Sequence, residues 1–233
     1  MLSEFVDLLI PRACGGCGCE TVSLCRACVR SLDTDPISSM PRYGTVKAYG
    51  AGPYEGVMRN VLVNYKEHDR RDLGPVLGLM LARAIASALD DAPVSSAPVL
   101  VVPVPARATS ARKRGGNHVE VLARNAAEHF IRDGFPLRVA PVLAVRGRGD
   151  QVGSGAHGRR RNVRGTHRIS HPEVVARWPR DVRVIIVDDI VTTGATVAES
   201  ARVLCESHID VTAVASIGIT GSDNRNCEEN REE

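Results

Sequence analysis

Apolar runs alternate with stretches of helical periodicity along most of this chain. Residues 72–89 place Leu73, Leu77, Leu81, Ala84, Ile85 and Ala88 at helical spacing, which predicts a helix. Val99-Leu-Val-Val102, stopped by Pro103-Val-Pro105, has the pattern of a short buried strand. Residues 117–130 return to a helical pattern, with Val121, Leu122 and Ala126 read onto one face, and 137–145 read as a strand. A glycine- and arginine-rich loop covers 146–165. A central strand is predicted over 182–187, a helix over 195–207 and a last strand over 211–217. Strands alternating with helices predict an α/β fold with a parallel sheet and right-handed crossovers.

The ends of the chain read differently. In residues 1–11, Leu2, Phe5, Val6, Leu9 and Ile10 fall on one helical face, while Glu4 and Asp7 interrupt the run and no basic residues precede it. That pattern is an amphipathic helix rather than a signal peptide. No stretch is expected to reach the roughly 18 apolar residues of a membrane span. The expectation is a cytoplasmic, reducing location, where the seven cysteines act as thiols or metal ligands. The prolines and serines of 33–41 read as a linker, and the tail from Gly221 has no apolar periodicity and reads as disordered. The expected division is a helix and cysteine module over 1–33, a linker over 34–44, the main domain over 45–220 and a tail over 221–233.

Composition sharpens this modestly. A chain of 233 residues with 43% hydrophobic and 24% charged residues is that of one well-packed globular domain with a small appendage. A net charge of +3 is too mild to imply nucleic-acid binding by itself. Aromatics make up 3% of the chain, so base-stacking platforms are scarce. Tyr43, Tyr49, Tyr54 and Tyr65 are the clustered ones, expected to pack in a hood over the sheet.

The candidate chemistry centres on Val184-Ile-Ile-Val-Asp188-Asp189-Ile-Val191-Thr192-Thr193-Gly194-Ala195-Thr196. A strand apolar on both faces belongs in the middle of a parallel sheet, and ligands bind beyond the carboxyl ends of such strands. Asp188 and Asp189 are expected there. Residues 192–196 open the following helix, whose N–H groups and dipole favour an anion, with Gly194 permitting close approach. Carboxylates beside a phosphate site would repel the phosphate, so they should face sugar hydroxyls or Mg²⁺. No Gly-x-x-x-x-Gly-Lys pattern is present, which disfavours a P-loop. Gly153-Ser-Gly155-Ala-His-Gly158 fits a dinucleotide fingerprint in letters only, because an arginine run rather than an apolar helix follows it.

Near the N-terminus, Cys14-x-x-Cys17 and Cys25-x-x-Cys28 form two knuckles whose spacing suits a closed, structural tetrahedral Zn²⁺ site. So short a segment cannot bury a core, and metal binding would supply its folding energy. Cys19 competes with Cys17 as a ligand, and a redox role for the thiols is the alternative. Cys205 is expected in the core.

The Asp188–Thr196 run is similar to the signature of type I phosphoribosyltransferases, which bind phosphoribosyl pyrophosphate (PRPP) with Mg²⁺. The resemblance implies that Asp188 and Asp189 hold the ribose hydroxyls. It gives the 5′-phosphate to Val191, Thr192, Thr193, Gly194, Ala195 and Thr196. It also assigns the pyrophosphate to the loop after the first core strand, here Pro103, Val104 and Arg107 followed by Arg112, Arg114 and Asn117. The 146–165 loop corresponds to a flexible loop that closes over substrate.

The order of parts resembles the ComF/GntX family, which joins a four-cysteine zinc module to a phosphoribosyltransferase-like domain. The matching residues are the cysteine pairs, Tyr65-Lys66, Val102-Pro-Val-Pro105, Arg114-Gly115-x-Asn117, Gln151, Arg159, Asn162-Val163 and Asp188–Thr196. Lys66 and Arg159 are candidates for pyrophosphate contacts and, with the two acids, for the catalytic set. Several positions depart from the pattern. Gly116 replaces an apolar residue, His118 a common Gln, Ser154 a Leu, Gly158 an acid and His167 an aromatic.

Two functions follow. One is a phosphoribosyltransferase acting on a nucleobase-like acceptor. The other is a non-catalytic protein that binds PRPP or a nucleotide and, as the family's role in natural competence implies, single-stranded DNA or a partner in DNA uptake. Phosphate-dominated DNA contact would be strongly salt-dependent.

Overall fold

The computed structural model describes residues 13–20, 23–106, 116–146 and 165–220. The expected helix at 1–11, the basic positions Arg107, Arg112 and Arg114, the loop residues Gln151, Arg159 and Asn162, and the tail lie outside the described residues.

After a cysteine-rich turn, α1 (Arg26–Leu32) leads into β1 (Ile37–Ser39) and β2 (Ala48–Pro53). Helix α2 (Gly56–Glu67) and one 3-10 turn (Arg71–Leu73) precede the long α3 (Gly74–Asp90). Next come β3 (Val99–Pro103), α4 (His118–Arg132), β4 (Leu137–Val139) and β5 (Leu143–Val145). The chain ends with β6 (His167–Ile169), a short α5 (Pro172–Val175), β7 (Arg183–Val191), α6 (Ala195–Cys205) and β8 (Val211–Ile219).

The main sheet has the order β1-β2-β8-β7-β3-β4. Strands β2, β8, β7, β3 and β4 run parallel, and β1 pairs antiparallel with β2 at the edge. Strands β5 and β6 form a separate antiparallel pair. The fold is therefore α/β with a mostly parallel sheet, as the alternating pattern predicts. From the centre the chain winds outward both ways, β3–α4–β4 to one side and β7–α6–β8 to the other. Right-handed crossovers in opposite directions put α4 and α6 on opposite faces. Helix α3 packs against α4 and over β2 and β8. The winding reverses between β3 and β7, and such a switch point leaves a crevice at the strands' carboxyl ends.

Val184, Ile185, Ile186 and Val187 are completely buried, as expected of a central parallel strand. Helix α3 buries Leu77, Leu81, Ala84, Ile85 and Ala88. Contrary to the expectation that no stretch would reach spanning length, the helical segment Arg71–Asp90 is long and apolar enough by that measure, with a mean hydropathy of 1.4. It is used internally: 56% of its most apolar stretch is buried, and the helix packs against the sheet and α4.

Other differences have local causes. The single strand expected over 137–145 is two strands, because Pro141 has no N–H to give to a ladder. Strand β4 extends the main sheet, and β5 turns away to β6. Within 117–130, Leu122 and Ala126 are buried but Val121 is exposed. Tyr49 is not a hood residue: it lies within β2, buried, with its hydroxyl donating to Asp91. The stretch read as a linker contains β1, and Cys205 is exposed at the end of α6 rather than in the core.

Candidate functional site

Strand β7 continues to Val191, four residues past the expected end, paired with β8 through Asp188↔Ser216, Ile190↔Gly218 and Val191↔Ile219. Its pairing with β3 stops at Pro103↔Val187, closed by Val104 N–H on the Val187 carbonyl at 2.9 Å. Asp188 and Asp189 thus lie within the strand rather than beyond it. Successive side chains on a strand point to opposite faces, so the two acids are separated.

Asp188 faces the α6 side. With Ile190, Thr192, Thr193, Ala195 and Thr196 it lines an open crevice. Asp189 faces the other side and is buried, 5% exposed. Its Oδ2 receives Lys66 Nζ from α2 at 2.7 Å, and the same oxygen accepts from His118 Nε2 at the start of α4. Burial and the Asp189 carboxylate push the Asp188 carboxyl well above the ordinary range, a shift only partly offset by the Asp189 N–H 2.8 Å from Asp188 Oδ1. Burial acts on Asp189 in the same direction, but the His118 hydrogen bond and the Lys66 charge outweigh it and hold Asp189 low. The pair's negative charge therefore rests on Asp189.

Helix α6 begins at Gly194, whose φ of 79° is left-handed, and no side chain caps it. The first helical bond runs from Ala198 N–H to the Gly194 carbonyl, so the N–H groups of 195–197 have no acceptor within the helix. Thr192 and Thr193 are exposed at its mouth. The close approach expected at Gly194 is made by the chain itself rather than left for a ligand. A Cβ there would meet Pro41 Cβ at 2.4 Å and the Tyr43 carbonyl at 2.7 Å. Tyr43 N–H also donates to the Thr193 carbonyl at 2.9 Å, so residues 41–43 brace the loop from outside.

The other expected contacts divide. Pro103 and Val104 lie at the end of β3, both buried. Asn117 has structural partners for both polar groups: Oδ1 accepts from Val119 N–H at 3.1 Å as the α4 cap, and Nδ2 donates to the Val104 carbonyl at 2.9 Å. Lys66 sits on Asp189 rather than in the crevice. Arg107, Arg114 and Arg159 lie outside the described residues. His118 was noticed in the sequence only as a departure from a family pattern, yet it is half of the Asp189 clamp. Among the described residues its Nδ1 is buried without a partner. His167, another of the departures, is a buried residue of β6 whose Nδ1 lies 3.1 Å from Ser200 Oγ. Burial brings it down to about 4, so it is neutral near pH 7.

Cys14, Cys17, Cys25 and Cys28 converge, with all four sulfurs within 4.8 Å of one another. Bonds of roughly 2.3 Å to a tetrahedral Zn²⁺ place sulfurs about 3.8 Å apart, so the Cys17–Cys25 separation of 3.7 Å fits. Backbone N–H groups of Gly16 and Cys25 point at Cys14 Sγ, at 3.4 and 3.3 Å. Burial pushes the Cys14 thiol up, but the N–H groups of Cys25, Cys17 and Gly16 outweigh it and bring it down to about 6. Donors aimed at sulfur favour a thiolate, the form that binds metal. Cys19 is exposed, its sulfur 3.4 Å from that of Cys17 and outside the group of four.

No family model matches this chain, and no curated protein matches it. Among solved structures it is similar to hypoxanthine-guanine phosphoribosyl transferase of L. donovani. That match has 15% identity and a TM-score of 0.32, over 64% of this chain and 71% of that one. It is also similar to adenine phosphoribosyltransferase from Thermoanaerobacter pseudethanolicus, with 14% identity and a TM-score of 0.29, over 83% of this chain and 98% of that one.

Proposed function

We propose that the crevice binds the ribose 5-phosphate portion of PRPP, and that the protein is of the type I phosphoribosyltransferase kind with an appended zinc module. The observation that carries this reading is the joint arrangement of Asp188 and the uncapped N-terminus of α6 around one crevice at the switch point. The phosphate would take the N–H groups of 195–197 and the hydroxyls of Thr192, Thr193 and Thr196, where the helix dipole favours an anion. Asp188, which lines the same crevice, would accept from the ribose hydroxyls. Mg²⁺ is commonly held by one or two carboxylates together with substrate phosphates, so a single crevice carboxylate suits an ion arriving with PRPP. Cys14, Cys17, Cys25 and Cys28 would hold Zn²⁺ in a closed structural site.

In this reading pyrophosphate leaves, and the positive charge developing on the ribosyl carbon is met by the single negative charge that the acid pair carries. The acceptor would be a nucleobase-like nucleophile. Calorimetric titration of the full chain with PRPP and Mg²⁺ should give saturable binding for which ribose 5-phosphate competes. Absence of binding by both ligands refutes the assignment. Pyrophosphate release across a panel of nucleobases identifies the acceptor, whereas binding without release marks a sensing protein.

A further inference from the structure

We infer that the four-cysteine module is a working part of the Asp189 site, because it sets the position of Lys66 through helix α2, with Asn60 and Asn64 as the positioning residues. Helix α2 lies between the module and the end of the sheet. On one side Asn60 Nδ2 donates to the Gly16 carbonyl at 2.8 Å, and Asn64 Nδ2 donates to the Gly15 carbonyl at 2.9 Å. Both acceptors lie in the first knuckle, between Cys14 and Cys17. Val57 is part of the same contact, because a Cβ on Gly16 would come within 2.9 Å of its Cγ1. Residues 57, 60 and 64 form one stripe of the helix. Lys66 is two residues beyond Asn64, about 200° round the helix at ~100° per residue, on the side facing Asp189.

The far end of the helix is held in the same way. Arg70 follows α2, and its guanidinium donates to the Ala13 carbonyl at 2.8 Å and the Ser23 carbonyl at 3.4 Å, with Asp72 holding it in place. Helix α2 itself buries Met58, Val61 and Leu62, and Glu55 gives it no side-chain cap. Its placement therefore depends on both surfaces it touches. The carbonyls that receive Asn60 and Asn64 belong to a knuckle whose shape requires its sulfurs to converge. Loss of that convergence removes the partners of Asn60 and Asn64 and loosens the helix that delivers Lys66 to Asp189.

This inference extends the PRPP reading to the Asp189 side of the site, but its test does not depend on PRPP. The chain has three lysines, Lys47, Lys66 and Lys113. Lys47 pairs with Asp91, away from α2, and serves as an internal control. The full chain is treated with an amine-acylating reagent, and the labelling rate of each lysine is read by mass spectrometry for the wild type and the Asn60→Ala/Asn64→Ala variant. Hydrogen exchange of α2 and the zinc content are measured alongside. Two lost hydrogen bonds at about 1 kcal/mol each correspond to roughly thirtyfold more frequent opening. The expected result is labelling of Lys66 and exchange of α2 that are faster by about that factor, with Lys47, β3 and β7 unchanged and zinc retained. A chelator should reproduce the Lys66 acceleration in the wild type. Unchanged Lys66 labelling in the variant, or equal acceleration of Lys66 and Lys47, overturns the inference. Failure of the wild type to bind PRPP overturns the functional reading and leaves this result standing.

Discussion

Removing the Lys66 ammonium while keeping its stem isolates the electrostatics of the Asp189 clamp. In Lys66→Met, Asp189 keeps His118 but loses the cation 2.7 Å from its Oδ2. Breaking a fully buried pair from one side costs about 3–5 kcal/mol, and an exposed pair about 0–1. The two side chains are 21% and 7% exposed, and one donor remains, so an intermediate cost of about 2 kcal/mol is expected. For a domain of this size that is a fall of about 4–8 °C in melting temperature. The pH dependence supplies the sign. Asp189 is held below its ordinary value, so its contribution is complete above roughly pH 4 and is lost as pH falls through its folded value. The gap between wild type and variant in urea denaturation should therefore be widest near neutrality and narrow in acid. A variant as stable as the wild type at pH 7, or a gap that does not narrow in acid, refutes the assignment of charge to Asp189.

Two further outcomes test other parts of the site. Gly194→Ala combines a left-handed φ with contacts of 2.4 Å to Pro41 and 2.7 Å to the Tyr43 carbonyl. It should cost about 2–4 kcal/mol by urea denaturation, above the roughly 1–2 kcal/mol of the backbone conformation alone, and should weaken anion binding. Cys14→Ser should lower zinc content by elemental analysis from about one ion per chain to near zero, because it removes one of four ligands from a closed site. Hydrogen exchange should then rise in residues 13–32 before it rises in the sheet.

Much of this was legible in the sequence where one physical requirement dominates. Val184–Val187 has to be apolar on both faces to cross the centre of the sheet. The cysteine spacing has to bring four sulfurs together. Gly194 was legible as a point of close approach, although Pro41 and the Tyr43 carbonyl make that approach rather than a ligand. Strand β2 was hidden because its small residues look unlike a strand. They are small because Ile219 lies within 2.7 Å of a Cβ on Gly50, and Thr34 Oγ1 within 2.6 Å of one on Gly52. Helix α2 carries a weak signal in Met58, Val61, Leu62 and Tyr65 at i, i+3, i+4 and i+7, diluted by the polar residues between them. The separation of the two acids follows from strand alternation once β7 is known to reach Val191. Nothing local reveals that extension, because β8, distant in sequence, supplies the pairing. The Asp189 clamp joins residues from α2, α4 and β7, a meeting that only the tertiary fold produces.

The central claim is that Asp188, and not the acid pair as a unit, faces the ligand. It is tested most directly by calorimetric titration of PRPP with Mg²⁺ into the wild type and Asp188→Asn, with urea denaturation of both. The substitution removes a half-buried carboxyl whose ionisation is disfavoured, so stability should be equal or higher. PRPP affinity should fall roughly tenfold, the loss of one contact worth about 1.4 kcal/mol. Wild-type affinity in Asp188→Asn contradicts the account.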